Sequence, residues 1–287
     1  MNFHPMIFPS HPFRSALLAG AVATLLLSWA SAAEPIRIVF QNGRSVPLVA
    51  VGLQGDKLII TGAAEGFTAG QSFPLATADH VFGEKPAELY QAVALLLMDK
   101  PAVALQLLEP IVTGQRITAK IPGNFWLEAA RAALVAYAVS GDAAKCGEIG
   151  KEISAATPAS GNDPFVLLGK ALLMPSSAKV DDREAAFRDL MTDQLPADVC
   201  GYASFYRAKW LKSLKRDAEA LEAYLVIPCV YPSGGMILNA VAELKASELL
   251  VSSDRRDEAT ALLKSSVRDS TGTRVAVEAN KLLDSLK

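Results

Sequence analysis

Two kinds of hydrophobic pattern divide the chain near residue 85. Between residues 35 and 83 apolar positions alternate over short segments, as in half-buried strands, and Ile36, Ile38 and Phe40 share one face of the first segment. The Asn42-Gly43 pair that follows is typical of hairpin turns whose central residues need positive φ. Further strands are predicted at 46–53, 58–61 and 73–75, with 78–82 as a closing turn. The pattern predicts a small β meander or partial barrel over residues 34–84.

From Pro86 onward apolar residues recur every three or four positions, and the pattern predicts helices over residues 85–287. Five helix-turn-helix units can be traced. The second helix of each unit is predicted to begin near one of five short turns: Lys100-Pro101, Gly141-Asp142, Asp182-Arg183, Arg216-Asp217 and Arg256-Asp257. Asp and Pro suit such starts, because the first N–H groups of a helix need an acceptor or no donor at all. The predicted fold class is α+β, mainly α.

Small residues twelve positions apart link the two helices of several units, as in Ala92/Ala104, Ala208/Ala220 and Ser247/Ala259. Pro158 and Pro232 stand twelve residues after Cys146 and Ala220. In these features residues 86–287 resemble tetratricopeptide repeats, and residues 34–84 resemble SH3-like or Sm-like barrels in turn spacing. The resemblance implies a quasi-linear, curved solenoid of α-α hairpins whose concave groove is lined by the first helix of each hairpin. An irregular helical bundle without repeat ancestry is the alternative.

The first 33 residues have the composition of a targeting segment. They contain one Arg, Arg14, and no Asp, Glu or Lys, and an apolar run over 16–30 ends in Ala30-Ser31-Ala32-Ala33. This pattern predicts a signal peptide over residues 1–33, and an uncleaved anchor is the alternative. We therefore expect a periplasmic or secreted protein of the bacterial envelope, with no stable membrane span after cleavage.

Composition narrows the function classes. The chain has 28 Lys+Arg against 30 Asp+Glu, a balance that argues against nucleic-acid binding. His80 is the one His outside the predicted signal, and no zinc-type spacing or phosphate-binding glycine loop occurs in the sequence. We predict no catalytic residues, no metal and no cofactor. An enzyme that uses only carboxylates is the remaining catalytic alternative.

The three cysteines are interpreted in the light of an oxidising compartment. Within the predicted fourth hairpin, Cys200 begins the first helix and Cys229 ends the second, so a Cys200–Cys229 disulfide is a candidate. Cys146 is predicted to be a buried free thiol. The alternative is that all three cysteines are reduced.

The predicted binding residues lie on the first helices of the hairpins. Tyr202, Phe205, Lys209 and Lys212 fall on one helical stripe. By the resemblance, this stripe faces the groove, together with Glu128 and Arg131. The aromatics would supply contact area and the lysines would attract an acidic segment; the alternative is that the aromatics pack on a neighbouring hairpin.

The sequence thus favours a scaffold that binds a protein or peptide of the cell envelope in this groove. The alternative function assigns binding, of cell-wall material or another ligand, to the β module, with the helices as a spacer or dimer surface. The sequence leaves the oligomeric state open.

Overall fold

The computed structural model describes residues 34–157 and 163–287, so the predicted signal peptide lies outside the described residues. The described chain forms six short strands followed by eleven helices. The strands are β1 (Arg37–Phe40), β2 (Ser45–Pro47), β3 (Val51–Gln54), β4 (Lys57–Ile60), β5 (Ser72–Pro74) and β6 (Ala78–Phe82). The helices are α1 (Ala87–Leu97), α2 (Pro101–Gln115), α3 (Trp126–Val139), α4 (Ala143–Ala156), α5 (Pro164–Leu172), α6 (Val180–Arg188), α7 (Ala197–Ser213), α8 (Asp217–Val230), α9 (Met236–Ser252), α10 (Arg256–Asp269) and α11 (Arg274–Asp284). The α+β, mainly α class is confirmed. None of the described helices has the length and apolarity needed to cross a membrane.

The β module consists of two antiparallel three-stranded sheets, in the orders β2-β1-β6 and β3-β4-β5. The predicted continuous strand over 46–53 is wrong, because a 3-10 turn at Leu48–Ala50 moves the chain from one sheet to the other. The predicted closing turn at 78–82 is also wrong, since these residues form β6 and pair with β1. Alternating positions such as Ile38, Phe40, Leu58 and Ile60 fill the core between the sheets.

The loop between α2 and α3 completes this core. Ile121 is buried among the β-module residues, and the backbone N–H of Val81 in β6 donates to the carbonyl oxygen of Pro122 at 2.8 Å. The β module therefore depends on a residue from the helical region.

The predicted helical hairpins are present. Pro101 is the first residue of α2, Asp217 is the first of α8, and Asp142 caps α4 by accepting from the Lys145 N–H at 3.0 Å. The paired small residues meet where the helices cross, since Ala92/Ala104 and Ala208/Ala220 are fully buried and Ser247 Oγ donates to the Ala259 carbonyl at 3.3 Å. Small side chains at these positions let the two helices of a hairpin approach closely.

The quasi-linear arrangement predicted for the hairpins is wrong, because the array closes on itself. The first helices of the hairpins, α1, α3, α5, α7 and α9, are called the inner helices; each contacts the next, and α9 contacts α1. The amide of Gln91 in α1 donates to the carbonyl oxygen of Gly272, just before α11, at 2.9 Å. An open array needs a polar outer face on its terminal helices. Here α1 is apolar around most of its circumference, so it has to be covered by α9 and α11.

Candidate functional site

A cleft of about 400 Å³ lies at the end of the ring where the N-terminal halves of the five inner helices meet. We call it the ring cleft. Its wall combines aromatic rings with a few charged groups: Lys85, Tyr90, Glu128, Arg131, Phe165, Asp198, Tyr202 and residues 233–238.

Side-chain oxygens accept from first-turn N–H groups of three of these helices at the cleft, and in α7 the acceptor lies within the first turn because the cap position, Pro196, has no side-chain bond. Asn124 Oδ1 accepts from the Leu127 N–H at 3.0 Å, at the start of α3. Asp163 Oδ1 accepts from the Phe165 N–H at 3.0 Å in α5, and Asp198 Oδ1 accepts from the Val199 N–H at 2.8 Å in α7. Each of these bonds satisfies an N–H that the helix itself cannot pair. The three side chains therefore place polar groups at the cleft, where the helices begin.

Arg131 ties three inner helices together beneath the cleft. Its guanidinium lies 2.6 Å from the Asp163 carboxylate and 3.3 Å from that of Asp198, and it stands 5.0 Å from the Phe165 ring centroid. The Asp163 side chain is 0% exposed. A carboxylate removed from water in this way requires a paired cation. Arg131 therefore holds α3, α5 and α7 in register.

The second cation of the cleft is also paired. Lys85 Nζ lies 2.7 Å from Glu128 Oε2 and 5.0 Å from the centroid of the Tyr90 ring. Lys85 precedes α1 and Glu128 belongs to the first turn of α3. This pair compensates the charge of Glu128 at the rim of the cleft.

Tyr202 supplies a polar group without a protein partner. The residue is 7% exposed, and its ring packs edge-on against Phe165 with centroids 5.4 Å apart. The pKa of Tyr202 is raised, first by burial and then by the negative charges of Glu128 and Asp198, so the phenol is a neutral hydrogen-bond donor at physiological pH. Among the described residues the Tyr202 hydroxyl has no hydrogen-bond partner, and it is not one of the fully buried polar atoms, so it borders the open space of the cleft.

Of the predicted binding residues, the structure brings Glu128, Arg131 and Tyr202 together at the ring cleft. The prediction for Phe205 is wrong. Phe205 is 0% exposed and packs against the rings of Tyr206 and Tyr224, with centroids 5.5 and 5.4 Å away, so it cannot touch a partner. The reason is that α8 covers the side of α7 turned away from the cleft.

Lys209 and Lys212 lie near the other end of α7 and do not line the ring cleft, so the structure does not bring them together with Tyr202 at this site. Along the axis of α7, Lys212 lies about 15 Å from Tyr202. Lys209 forms an ion pair with Asp99, which follows α1, and Lys212 lies 3.6 Å from Glu248 of α9. Both lysines therefore bridge inner helices, and their charges are already partnered.

The predicted Cys200–Cys229 disulfide is not formed in the structure. All three cysteines lie among the described residues and are free thiols. Cys200 is buried and its Sγ lies 3.4 Å from the Thr192 carbonyl oxygen, whereas Cys229 is exposed on the outer face of α8. Burial raises the pKa of the Cys146 and Cys200 thiols, which keeps both protonated and unreactive.

Sequence reasoning missed several cleft residues, including Lys85, Tyr90 and the start of α9. The sequence contains one usable signal, at 121–126 and 163–165, where an Asn or Asp is followed within two residues by an aromatic residue. Gly234 gave no such signal. A Cβ at Gly234 would lie 2.7 Å from the Ala197 carbonyl oxygen, so glycine allows the starts of α7 and α9 to touch.

Comparison of the chain with protein-family models, with curated proteins and with solved structures finds no match. The function of the ring cleft therefore has to be inferred from its own geometry.

Proposed function

We propose that this chain is a binding scaffold of the cell envelope, periplasmic or secreted, that holds a segment of a partner protein in the ring cleft. The observation that carries the proposal is the convergence of five inner helices on one cleft of about 400 Å³. Ligand sites are typically concave and largely apolar, with volumes of about 300–1,000 Å³ and a few placed polar groups.

The charged groups that line the cleft are paired with other side chains, which favours ligand binding rather than catalysis as the function of the cleft. Arg131 is paired with Asp163 and Asp198, and Lys85 is paired with Glu128. General acid–base catalysis uses a group whose pKa is tuned and whose proton can move. Compensated ion pairs instead hold the wall of a binding site rigid.

The rim of the cleft supports a protein partner. Met236 is 55% exposed at the start of α9, and Ser233 is exposed beside it. Methionine and aromatic side chains are enriched at protein interfaces. An extended segment could enter between the helix ends and contact Tyr90 and Phe165 on the wall.

A second candidate site on the β module keeps the alternative function open. The rings of Phe40, Phe67 and Phe73 form a cluster with centroids 5.0 to 5.8 Å apart beside a cavity of about 200 Å³. Arg44 stacks over Phe67 at 4.1 Å. This cluster could hold an apolar or aromatic ligand, with the helices as a spacer.

Capture with single-tryptophan variants tests the two candidates. The bait is the full chain, incubated with envelope extract, and bound proteins are identified by mass spectrometry and then titrated in purified form. Ser233→Trp places a large ring at the exposed rim of the cleft, Gln41→Trp does the same at the β-module cavity, and Ser253→Trp is the matched control at the far end of α9. We expect Ser233→Trp to lower partner affinity at least tenfold, with Gln41→Trp and Ser253→Trp unchanged. Loss of affinity in Gln41→Trp alone would transfer the function to the β module, and equal affinity in all variants would refute both sites.

A further inference from the structure

The start of α9 differs from the starts of the other inner helices, all of which lie in the described part of the chain. Each of the other four has a carboxylate at its cap or in its first turn: Glu88, Glu128, Asp163 and Asp198. α9 has no acidic residue in its first turn, and its cap is Gly235, which has no side chain. The first N–H groups of α9 consequently have no side-chain acceptor, and the positive end of its dipole, about half a unit charge, is uncompensated.

These N–H groups border the ring cleft. The first three residues of α9, Met236, Ile237 and Leu238, all line it. The first backbone bond of the helix runs from the Asn239 N–H to the Gly235 carbonyl at 3.0 Å, which leaves the three preceding N–H groups outside the helical ladder. A helix start of this kind favours a bound anion.

Tyr202 is an independent indication of a ligand site. It is more than nine-tenths buried, it lines the same cleft, and its hydroxyl is unpartnered among the described residues. The Tyr202 hydroxyl is thus the polar tip of a buried ring that borders the cleft, where it can donate to an acceptor on a ligand.

The two features are neighbours in space. A Cβ on Gly201 would lie 2.7 Å from the Leu238 side chain, so the residue next to Tyr202 touches the first turn of α9. Of the carboxylates that line the cleft, Glu128 is paired with Lys85 at 2.7 Å. Asp198 accepts from the Val199 N–H at 2.8 Å and lies 3.3 Å from Arg131, whose charge it shares with Asp163.

We propose that the ring cleft contains an oxyanion subsite. The carboxylate or phosphate of a ligand accepts hydrogen bonds from the first-turn N–H groups of α9 and from the Tyr202 hydroxyl. The ligand thereby supplies the carboxylate that α9 lacks. This inference deepens the proposed function, on which it rests for the ligand being part of a partner protein, and it names the chemical group that the cleft recognises.

Small anions test the subsite without a known partner. The full chain is titrated with sodium acetate and, separately, with inorganic phosphate, at constant ionic strength maintained with chloride. Binding is followed by the ¹H–¹⁵N shifts of the Met236, Ile237 and Leu238 amides. We expect saturable shifts at these amides, and the tighter of the two probes identifies the source as a carboxylate or a phosphate.

Two pairs of variants locate the binding groups. Tyr202→Phe keeps the ring and removes the donor, so the anion should bind about tenfold more weakly. Tyr206→Phe is its control, because it removes a buried, unpartnered hydroxyl from the same helix at a position outside the cleft lining. Met236→Glu supplies a carboxylate to α9 from the chain itself and should abolish anion binding without lowering thermal stability. Met236→Gln, which is neutral and of similar size, should still bind.

Shifts of the α9 amides that are the same in Tyr202→Phe and Met236→Glu as in the wild type would overturn the oxyanion subsite, as would no shift with either probe. If the subsite fails in this way but Ser233→Trp still lowers the affinity for a captured partner, the proposed function remains supported. Anion binding with the expected variant pattern supports the subsite, and if no captured partner responds to Ser233→Trp, the proposed function alone fails.

Discussion

Arg131 illustrates how a residue's role depends on what lies beyond its own helix. Its position in the sequence predicts a groove-facing side chain, and it does line the ring cleft. Its guanidinium, however, is occupied by Asp163, 32 residues later, and by Asp198, 67 residues later. The free energy of this arrangement comes from pairing a fully buried carboxylate, so Arg131 stabilises the cleft more than it recognises a ligand.

Replacement of Asp163 by asparagine tests this role. The asparagine side chain has the same size and can still cap α5, but the substitution removes the buried charge that Arg131 compensates. We expect Asp163→Asn to lower the free energy of unfolding by about 3 kcal/mol, measured by urea denaturation followed by circular dichroism. Asp198→Asn is the control, because its pair with Arg131 is longer and the carboxylate is partly exposed, and it should cost less than about 1 kcal/mol. Equal losses in the two variants would contradict the assignment.

At the scale of elements, four hairpins share one turn geometry. The second residue after the first helix adopts a left-handed conformation in each: Asp99, Gly141, Lys215 and Asp254 have φ of 62°, 77°, 62° and 60°. The next N–H then donates to the carbonyl five residues earlier, as from Arg216 to Leu211 at 3.1 Å and from Asp142 to Tyr137 at 2.9 Å. This is the bond that closes a helix in the Schellman motif. The four turns share the same left-handed backbone conformation. Glycine, the residue that adopts this conformation without strain, occurs at only one of the four positions.

The strain at Lys215 makes a measurable prediction. Lys215→Gly should raise the free energy of unfolding by about 1 kcal/mol, since the left-handed conformation costs a residue with a Cβ about 1–2 kcal/mol and glycine gives part of this back in chain entropy. Gly141→Lys, the reverse change at the matching turn, should lower it by a similar amount. Ser213→Gly, two residues earlier in the last turn of α7, is the control and should be destabilising. Thermal unfolding of the three variants checks the signs, and a loss of stability in Lys215→Gly would contradict the turn assignment.

In the molecule as a whole, closure of the ring stabilises the helical region and forms the ring cleft. α1 packs against α9 and α11, and the Lys209–Asp99 ion pair joins α7 to the end of α1. In an open repeat array each hairpin contacts its neighbours alone, so damage at one end leaves the other end intact. Here the two ends of the helical region stabilise each other directly.

Hydrogen exchange detects this coupling. Val275 of α11 is fully buried, and Val275→Asp places an uncompensated charge in that contact, so α11 should detach. We expect faster amide exchange over Leu89–Leu97 of α1 as well as in α11. Val277→Asp is the matched control on the same helix, because Val277 is 62% exposed, and it should leave α1 unchanged. If α1 stays equally protected in Val275→Asp, the contact between the ends does not contribute to stability.

The features that can be predicted from the sequence are local. The change from a two-residue to a three-or-four-residue period separates strands from helices, and the polar turns locate the start of each second helix. The small-residue pairs such as Ala208/Ala220 identify which consecutive helices touch. These features were predictable because they depend on residues close together in the chain, where backbone geometry limits the choices.

Which helix surfaces are covered depends on the tertiary structure. α7 is apolar on several sides, so its pattern could not distinguish Phe205, buried under α8, from Tyr202, which borders the cleft. The contacts that close the ring, Gln91 to Gly272 and Lys209 to Asp99, join residues more than 100 positions apart. Helical periodicity tells which face of a helix avoids water but not which helix covers it. The ring cleft therefore arises from packing between hairpins that are distant in the sequence.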